Sequence, residues 1–255
     1  MSGSVTKADH VLVLGASSQV GRFLLPRLLA TGCHVDALTR KGRPDGFPEL
    51  ERLAWIRANV ARTRLADYSV LVSAGPLPLA MDYANAMPAL RMISATSSSS
   101  VLTKGESTDP SERSTVAELR EAEEGLRNLT RPRRLPLLIL RPTLVYGCGL
   151  DRNLSRIAGV IRRFGFMLLS TRSGGLRQPL HAEDLAIALL AGLEPRERRE
   201  LVSPLCGGET LDYRSMVRRV FTALGKTPRI VTLPPEVLVA LLRVARATRA
   251  LDGVG

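Results

Sequence analysis

The stretch VLVLGASSQVGRFLLPRLLATGCHVDALTR, residues 11–40, decides the fold. Val11 to Leu14 reads as a first strand and His34 to Leu38 as a second. Between them Arg22 to Ala30 reads as a helix with Leu24, Leu25, Leu28 and Leu29 on its buried stripe. Pro26 is placed in the first turns of that helix, where a missing N–H is best tolerated. The turn Gly15-Ala-Ser-Ser-Gln-Val-Gly21 joins strand to helix. Its first glycine allows a sharp exit from the strand, and its last lets helix and strand pack closely. In doubly wound α/β folds this order of elements sets a pyrophosphate on the amino end of a helix, where free N–H groups and the helix dipole favour negative charge.

Working outward, strand candidates recur at Ala54 to Arg57, Val70 to Ser73, Met92 to Ala95 and Leu137 to Leu140, with helical segments between them. That alternation predicts a parallel sheet covered by helices on both faces. Ser111 to Leu129 is expected to be a long helix, with Val116, Leu119, Leu126 and Leu129 at helical spacing and Asp109 and Ser111 as caps. Past Tyr146 the chain grows richer in arginine and glycine, with helices expected over Ala182 to Leu193, Tyr213 to Leu224 and Pro234 to Arg249. The expected architecture is a Rossmann domain, residues 1–147 plus about 180–205, carrying a small substrate lobe, residues 148–179 and 206–255.

At 255 residues, 45% hydrophobic and 24% charged, the composition is that of a globular chain with a substantial core rather than a disordered one. The net charge of +12 is almost wholly arginine, the only lysines being Lys7, Lys41, Lys104 and Lys226. Arginine's planar fork suits phosphate and carboxylate, so an anionic small molecule, an anionic membrane surface and nucleic acid all enter consideration. Nucleic acid is disfavoured by the lack of a recognition motif and by an aromatic content of 4%. Cys33, Cys148 and Cys206 show no metal-ligand spacing, and no metal is expected. Met1 to His10 lacks the apolar core of a signal peptide, so a cytoplasmic protein is expected.

The second strand ends in Thr39-Arg40-Lys41, where an NAD site usually places an acid on the ribose hydroxyls. A cation there suits a 2′-phosphate, so NADP is the expected cofactor ahead of NAD. Five segments then resemble, in order, the extended and atypical short-chain dehydrogenase/reductases, in their NAD-dependent epimerase/dehydratase branch. VLVLGASSQVGR (11–22) is similar to the cofactor turn, with Ser18 replacing the middle glycine. Val72-Ser-Ala-Gly-Pro76 is similar to the segment that passes under the cofactor, and Ser97-Ser-Ser-Ser-Val101 to the serine motif. LILRPTLVYG (138–147) resembles the strand whose proline lies near the nicotinamide, and LRQPLHAEDLA (176–186) the segment with a substrate-phosphate arginine. The resemblance implies cofactor contacts from Gly15, Ser17, Ser18, Gln19, Val20, Gly21, Arg40, Asn59, Ala74, Gly75 and Pro142. It places Ser98 as the catalytic serine, and Asn153, Arg177 and His181 on the substrate, an anionic metabolite such as a nucleotide sugar. A homodimer is compatible with it.

The chain departs from that family in two places. Ser99 and Ser100 stand where its sugar-nucleotide dehydratases carry an Asp-Glu pair, which disfavours 4,6-dehydration. No tyrosine is followed four residues later by lysine, the pair that moves the hydroxyl proton during hydride transfer. The tyrosine position falls at Thr115 or Val116, and the lysine position at Leu119 or Arg120. Lys104 and Tyr146 are therefore the candidate proton carriers beside Ser98. Two functions are expected: an NAD(P)-dependent oxidoreductase or epimerase with a non-standard site, or a redox-inert NAD(P)-binding sensor or scaffold.

Arg156, Arg162 and Arg163 lie on a helix-like segment, Leu154 to Phe164, read either as ligand contacts or as a solvated basic face. The final segment, Pro234 to Arg249, sets Leu238, Leu241 and Leu242 against Arg243, Arg246 and Arg249. A basic amphipathic helix can lie on an anionic membrane. Packing against the second lobe is the simpler expectation.

Overall fold

Residues 5–40, 42–194, 200–237 and 239–240 are described by the structure, a computed structural model. The chain forms two compact units, Met1–Leu150 with Leu180–Gly207, and Asp151–Pro179 with Gly208–Gly255.

The first unit opens β1 (His10–Leu14), α1 (Gln19–Ala30), β2 (His34–Leu38), β3 (Leu53–Ile56), α2 (Ala58–Thr63), β4 (Val70–Ser73) and α3 (Leu77–Ala86). It continues through β5 (Met92–Thr96), α4 (Ser100–Thr103), α5 (Pro110–Arg133), β6 (Leu137–Pro142) and β7 (Val145–Tyr146). The second unit then supplies α6 (Leu154–Phe164), β8 (Met167–Ser170) and β9 (Leu176–Arg177). The chain re-enters the first unit with β10 (Leu180–His181), α7 (Ala182–Ala191) and β11 (Glu200–Leu205). It closes the second with β12 (Leu211–Asp212), α8 (Tyr213–Ala223) and β13 (Ile230–Leu233).

Seven strands form one sheet in the order β11-β6-β5-β4-β1-β2-β3, every pairing parallel. This is the Rossmann arrangement, and its strand order reverses between β1 and β4. Alternation along β1 shows why both faces are covered. Val11 and Val13 pack with Leu24, Leu28, Leu185 and Leu189 of α1 and α7, while Leu12 and Leu14 pack with Ala80, Tyr83 and Leu126 of α3 and α5.

Helix α1 starts at Gln19, three residues before the sequence expectation, because Ser18 caps it: the Gly21 N–H donates to Ser18 Oγ at 3.3 Å. Pro26 consequently sits in the middle of the helix and not in its first turns. On α5 the cap is Asp109, whose carboxylate accepts from Ser111 N at 2.8 Å, with Pro110 opening the helix. Ser111 is therefore inside the helix rather than capping it.

In the second unit, α6 and α8 enclose Ile157, Ile161, Leu169, Met216, Val217, Val220 and Phe221. Strand β8 pairs in parallel with β13, and β9 pairs antiparallel with β12. Most of the helix expected over Pro234 to Arg249 lies outside the described residues, as does Lys41. Among the described residues no helix is long and apolar enough to cross a membrane.

Candidate functional site

The carboxyl ends of β1 and β4, where the strand order reverses, are drawn together by glycine. Gly15 has φ +70°, and a β-carbon on it would stand 2.5 Å from the Ala74 carbonyl carbon and 2.6 Å from Gly75 N. From the other side, a β-carbon on Gly75 would meet Gly15 N at 3.2 Å. Ala74 N donates to Leu14 O at 3.0 Å, and Thr96 Oγ1 donates to Ser73 O at 3.2 Å, so β5 braces the same junction. Neither a side chain at Gly15 nor one at Gly75 fits without moving main chain.

The amino end of α1 belongs to the same turn of sequence. Ser18 takes β-region dihedrals, φ −74° and ψ 170°, so the serine in place of a glycine carries no left-handed strain. Its hydroxyl satisfies Gly21 N–H, and its carbonyl accepts from Arg22 N at 3.3 Å. The Gln19 and Val20 amides have no partner among the described residues, and the first turn of α1 carries no acid. Ser17 is exposed. Helix starts with N–H groups lacking a partner favour negative charge nearby.

At the end of β2, Thr39 is buried and donates through Oγ1 to Gly42 O at 3.0 Å, while Arg40 is exposed with no carboxylate partner among the described residues. Asp36, the acid of that strand, is buried and accepts from Arg64 Nη1 at 2.9 Å and Tyr68 Oη at 2.8 Å. His10 Nε2 lies 3.3 Å from the other Asp36 oxygen, so the carboxylate is engaged on both sides within the sheet. Asn59 lies exposed in the first turn of α2.

The serine segment is tied to β6 by main-chain bonds from Ser97 N to Leu140 O, 2.7 Å, and from Ser99 N to Pro142 O, 3.0 Å. Ser98 Oγ accepts from Ser100 N at 3.2 Å and from the Ser100 hydroxyl at 2.9 Å. Both acceptor positions are filled, which leaves the Ser98 proton to donate outward. Pro142 is buried against this segment. Lys104 forms an ion pair with Glu112 on α5, and Ser107 Oγ donates to the same carboxylate at 2.7 Å. The Lys104 and Ser107 hydrogen bonds hold the Glu112 carboxyl below its ordinary range.

None of the four α5 positions singled out from sequence presents an acid-base group. Thr115 is exposed and donates to Ser111 O at 2.9 Å, Val116 is buried, and Leu119 packs into the core. Arg120 Nη2 donates to Val101 O at 3.1 Å.

A residue not expected from sequence organises this region. Glu123, 1% exposed, accepts from Ser97 Oγ at 2.6 Å and from Arg141 Nε at 2.9 Å. Burial alone would raise its pKa, but the Arg141 and Ser97 hydrogen bonds outweigh it, and the carboxyl is held below the usual carboxylate range. Arg141 is correspondingly raised by the same pairing. A sequence signal existed: Glu123 falls on the apolar stripe of α5, seven residues after Val116 and three before Leu126.

Tyr146 and His181 are neighbours across the parallel β7–β10 pair, their rings 5.3 Å apart edge to face, with Phe23 of α1 5.2 Å from His181. His181 Nδ1 accepts from Glu183 N at 3.3 Å and so caps α7. Gln19 Nε2 donates to Val145 O at 3.2 Å, joining α1 to this cluster. Gly147, with φ +148°, lets the chain pass 3.3 Å from His181 Nε2 at its absent β-carbon.

In the second unit, Arg177 lines a cavity of about 320 Å³ with Met167, Leu169, Ser170, Ser173 and Tyr213. Arg177 itself is exposed and donates to Leu176 O at 2.9 Å. Asn153 opens α6 without capping it through its side chain; Asp151 does that, accepting from Ser155 N at 3.0 Å and Asn153 N at 2.9 Å. Asn153 is not among the residues lining the cavity. Among the described residues no cluster of His, Cys, Asp or Glu is arranged to hold a metal.

Solved structures with this architecture include nucleotide-sugar epimerases. An epimerase from the methanogen Methanothermobacter thermautotrophicus matches with TM-score 0.72 and 15% identity, over 89% of this chain and 80% of that one. MoeE5, solved with UDP-glucose and NAD, matches with TM-score 0.71 and 22% identity, over 88% and 85%. The UDP-glucose 4-epimerase of Thermus thermophilus, solved with NAD, matches with TM-score 0.70 and 17% identity, over 89% and 86%. This chain shares their fold. No protein-family model and no curated protein sequence matches it.

Proposed function

We propose that the first unit binds a nicotinamide dinucleotide and that the protein is an NAD(P)-dependent, epimerase-like oxidoreductase acting on a nucleotide sugar. The observation that carries this reading is the glycine junction at the strand-order reversal, beside a helix start with two unpartnered amides and no acid. Main chain occupies the space a side chain at Gly15 or Gly75 would need, and Ser18 folds its hydroxyl back onto Gly21. The residues present therefore fit a dinucleotide: Gln19 and Val20 N–H groups on the pyrophosphate, Ala74 and Gly75 beneath it, and Arg40 at the adenosine ribose. The exposed Arg40, with Asp36 already engaged, favours NADP over NAD. The neighbours solved with NAD support the nicotinamide class, and the one solved with UDP-glucose supports the sugar.

A bound nicotinamide supplies hydride transfer. For the chain's own part, Ser98 donates its free proton to the oxygen at the reacting carbon, and the Glu123–Arg141 pair fixes the turn that carries it. Proton movement falls to Lys104, once released from Glu112, or to Tyr146, whose hydroxyl has no partner among the described residues. Arg177 holds the diphosphate of the substrate through charge-assisted hydrogen bonds. The test is calorimetry with NAD, NADH, NADP and NADPH, followed by nicotinamide absorbance with a panel of nucleotide sugars. Turnover that falls in Ser98→Ala, and in Lys104→Ala or Tyr146→Phe, supports the reading. Absence of heat with all four coenzymes ends it.

One observation favours a second reading, a redox-inert NAD(P)-binding sensor. Lys104 is held by Glu112, and α5 presents threonine and leucine where a proton relay is expected. Tight coenzyme binding with no turnover on any nucleotide sugar is its signature.

A further inference from the structure

Positive charge is concentrated in the second unit. Residues 151–179 and 208–255 contain 14 arginines and lysines against 5 acids, which is +9 of the chain's +12. Its acids do little to neutralise the surface. Asp151 and Asp212 cap α6 and α8, and Glu209 is paired with Arg219.

One side of α6 joins this charge to exposed apolar groups. Arg156, Val160 and Phe164 follow one another at four-residue steps and so line one edge of the helix. Val160 is 38% exposed, Phe164 50% and Phe166 39%. The Phe164 and Phe166 rings lie 6.3 Å apart, and the Arg163 guanidinium stands 5.4 Å from the centroid of Phe164. Arg156 and Arg163 are exposed and have no carboxylate partner among the described residues. Ile157 and Ile161, on the adjoining flank of the helix, are buried in the core of the unit, while the edge that carries Arg156, Val160 and Phe164 stays exposed.

We propose that the second unit docks on an anionic lipid bilayer through the Arg156, Val160, Arg163, Phe164 and Phe166 face of α6. Arginines at the headgroup level and two phenylalanines with a valine below it are the two attractions an interfacial helix combines. Val160 adds an aliphatic group that partitions into acyl chains, and a nucleic-acid duplex keeps stacked within itself the base faces that Phe164 and Phe166 would need. Docking leaves the Arg177 cavity a separate feature, and it stands or falls independently of coenzyme binding.

The experiment uses the full chain and sedimentation with phosphatidylcholine vesicles, with and without about a quarter phosphatidylglycerol. Binding is expected only to the anionic vesicles and to weaken in high salt. Arg156→Gln and Arg163→Gln each lower the partition coefficient roughly fivefold, and the double variant Phe164→Ser/Phe166→Ser lowers it by about tenfold or more. Phe164→Trp adds a reporter that does not depend on the tolerance of the double variant, because the one native tryptophan, Trp55, lies in the first unit. The emission of the introduced indole shifts to the blue and is quenched by brominated acyl chains when the helix enters the interface. No binding to anionic vesicles overturns the proposal. So does unquenched emission from the Phe164→Trp variant together with equal binding of duplex DNA, which marks a general polyanion surface instead.

Discussion

Gly21 lies so close to Ala16 that a β-carbon on it would stand 1.9 Å from the Ala16 carbonyl oxygen. Both partners are main chain, so no rotamer change relieves the contact. Gly21→Ala is expected to lose about 1–3 kcal/mol of stability in urea unfolding, the cost of overpacking a tight site. It should also abolish coenzyme binding, because the start of α1 must move away from the turn at Ala16 to admit the methyl group. A variant with unchanged stability and affinity would show that the turn yields without cost.

Gly159 is the opposite case. It sits inside α6 with nothing within 4 Å of its absent β-carbon. Only the unfolded-state entropy of glycine distinguishes it from alanine there. Gly159→Ala should raise the stability of the second unit by about 0.5–1 kcal/mol, read as an upward shift in the urea midpoint at constant slope.

Arg40 tests the choice of coenzyme. It is exposed, and no carboxylate among the described residues competes for it. A charge-assisted contact with a 2′-phosphate is worth about 1.5–3 kcal/mol. Arg40→Ala should therefore weaken NADP binding about tenfold or more and leave NAD binding nearly unchanged. Equal losses for both coenzymes would remove Arg40 from the ribose site.

Elements whose burial is written into local pattern are legible from the chain alone. The bounds of β2 and β4 agree with their apolar runs, and α5 appears as its leucine spacing and Asp109 require. Helix α3 is not legible in the same way: it opens on Pro76 with no side-chain cap, and its mixture of apolar residues shows neither a polar face nor a boundary. Strand β11 carries Pro204, which a sheet tolerates at its edge, and so its run reads poorly as a strand. The glycine turn is readable at Gly21, which meets Ala16 within the same seven residues, but the demand at Gly15 comes from Ala74 and Gly75, which reach it only when β4 pairs with β1. Glu123 is not readable, because its role depends on Arg141, 18 residues away, and on Ser97, 26 residues away, converging only after the sheet forms.

Arg177 and Tyr213 line the cavity of the second unit, where Arg177 has only a main-chain carbonyl as partner among the described residues. If that cavity takes a diphosphate, Arg177→Ala loses one charge-assisted contact, and affinity for a uridine diphosphate sugar falls about tenfold. Coenzyme affinity should stay as in the parent protein. Calorimetric titration of both ligands checks the pair, and a parallel loss of coenzyme binding would point to misfolding rather than to a lost contact.

Glu123 and Arg141 form a buried ion pair, the carboxylate 1% and the guanidinium-bearing side chain 17% exposed. Removing the charge from one partner leaves the other uncompensated, so Glu123→Gln should lose about 3 kcal/mol at neutral pH. The pH dependence fixes the cause. The folded pKa of Glu123 lies below its ordinary value of 4.5. The unfolded chain therefore binds the proton first, and the pair's stabilisation is fully present above the unfolded value. It fades as pH falls below that value and through the depressed folded pKa. Stability of the parent and of Glu123→Gln, measured in urea from about pH 7 down to about pH 3, should converge at the acid end. Ser97 also loses its carboxylate acceptor in the variant, so a serine turn that depends on it should lower turnover even where the protein is fully folded. A stability gap that stays constant across that range would mean that packing, and not charge, is what Glu123 supplies.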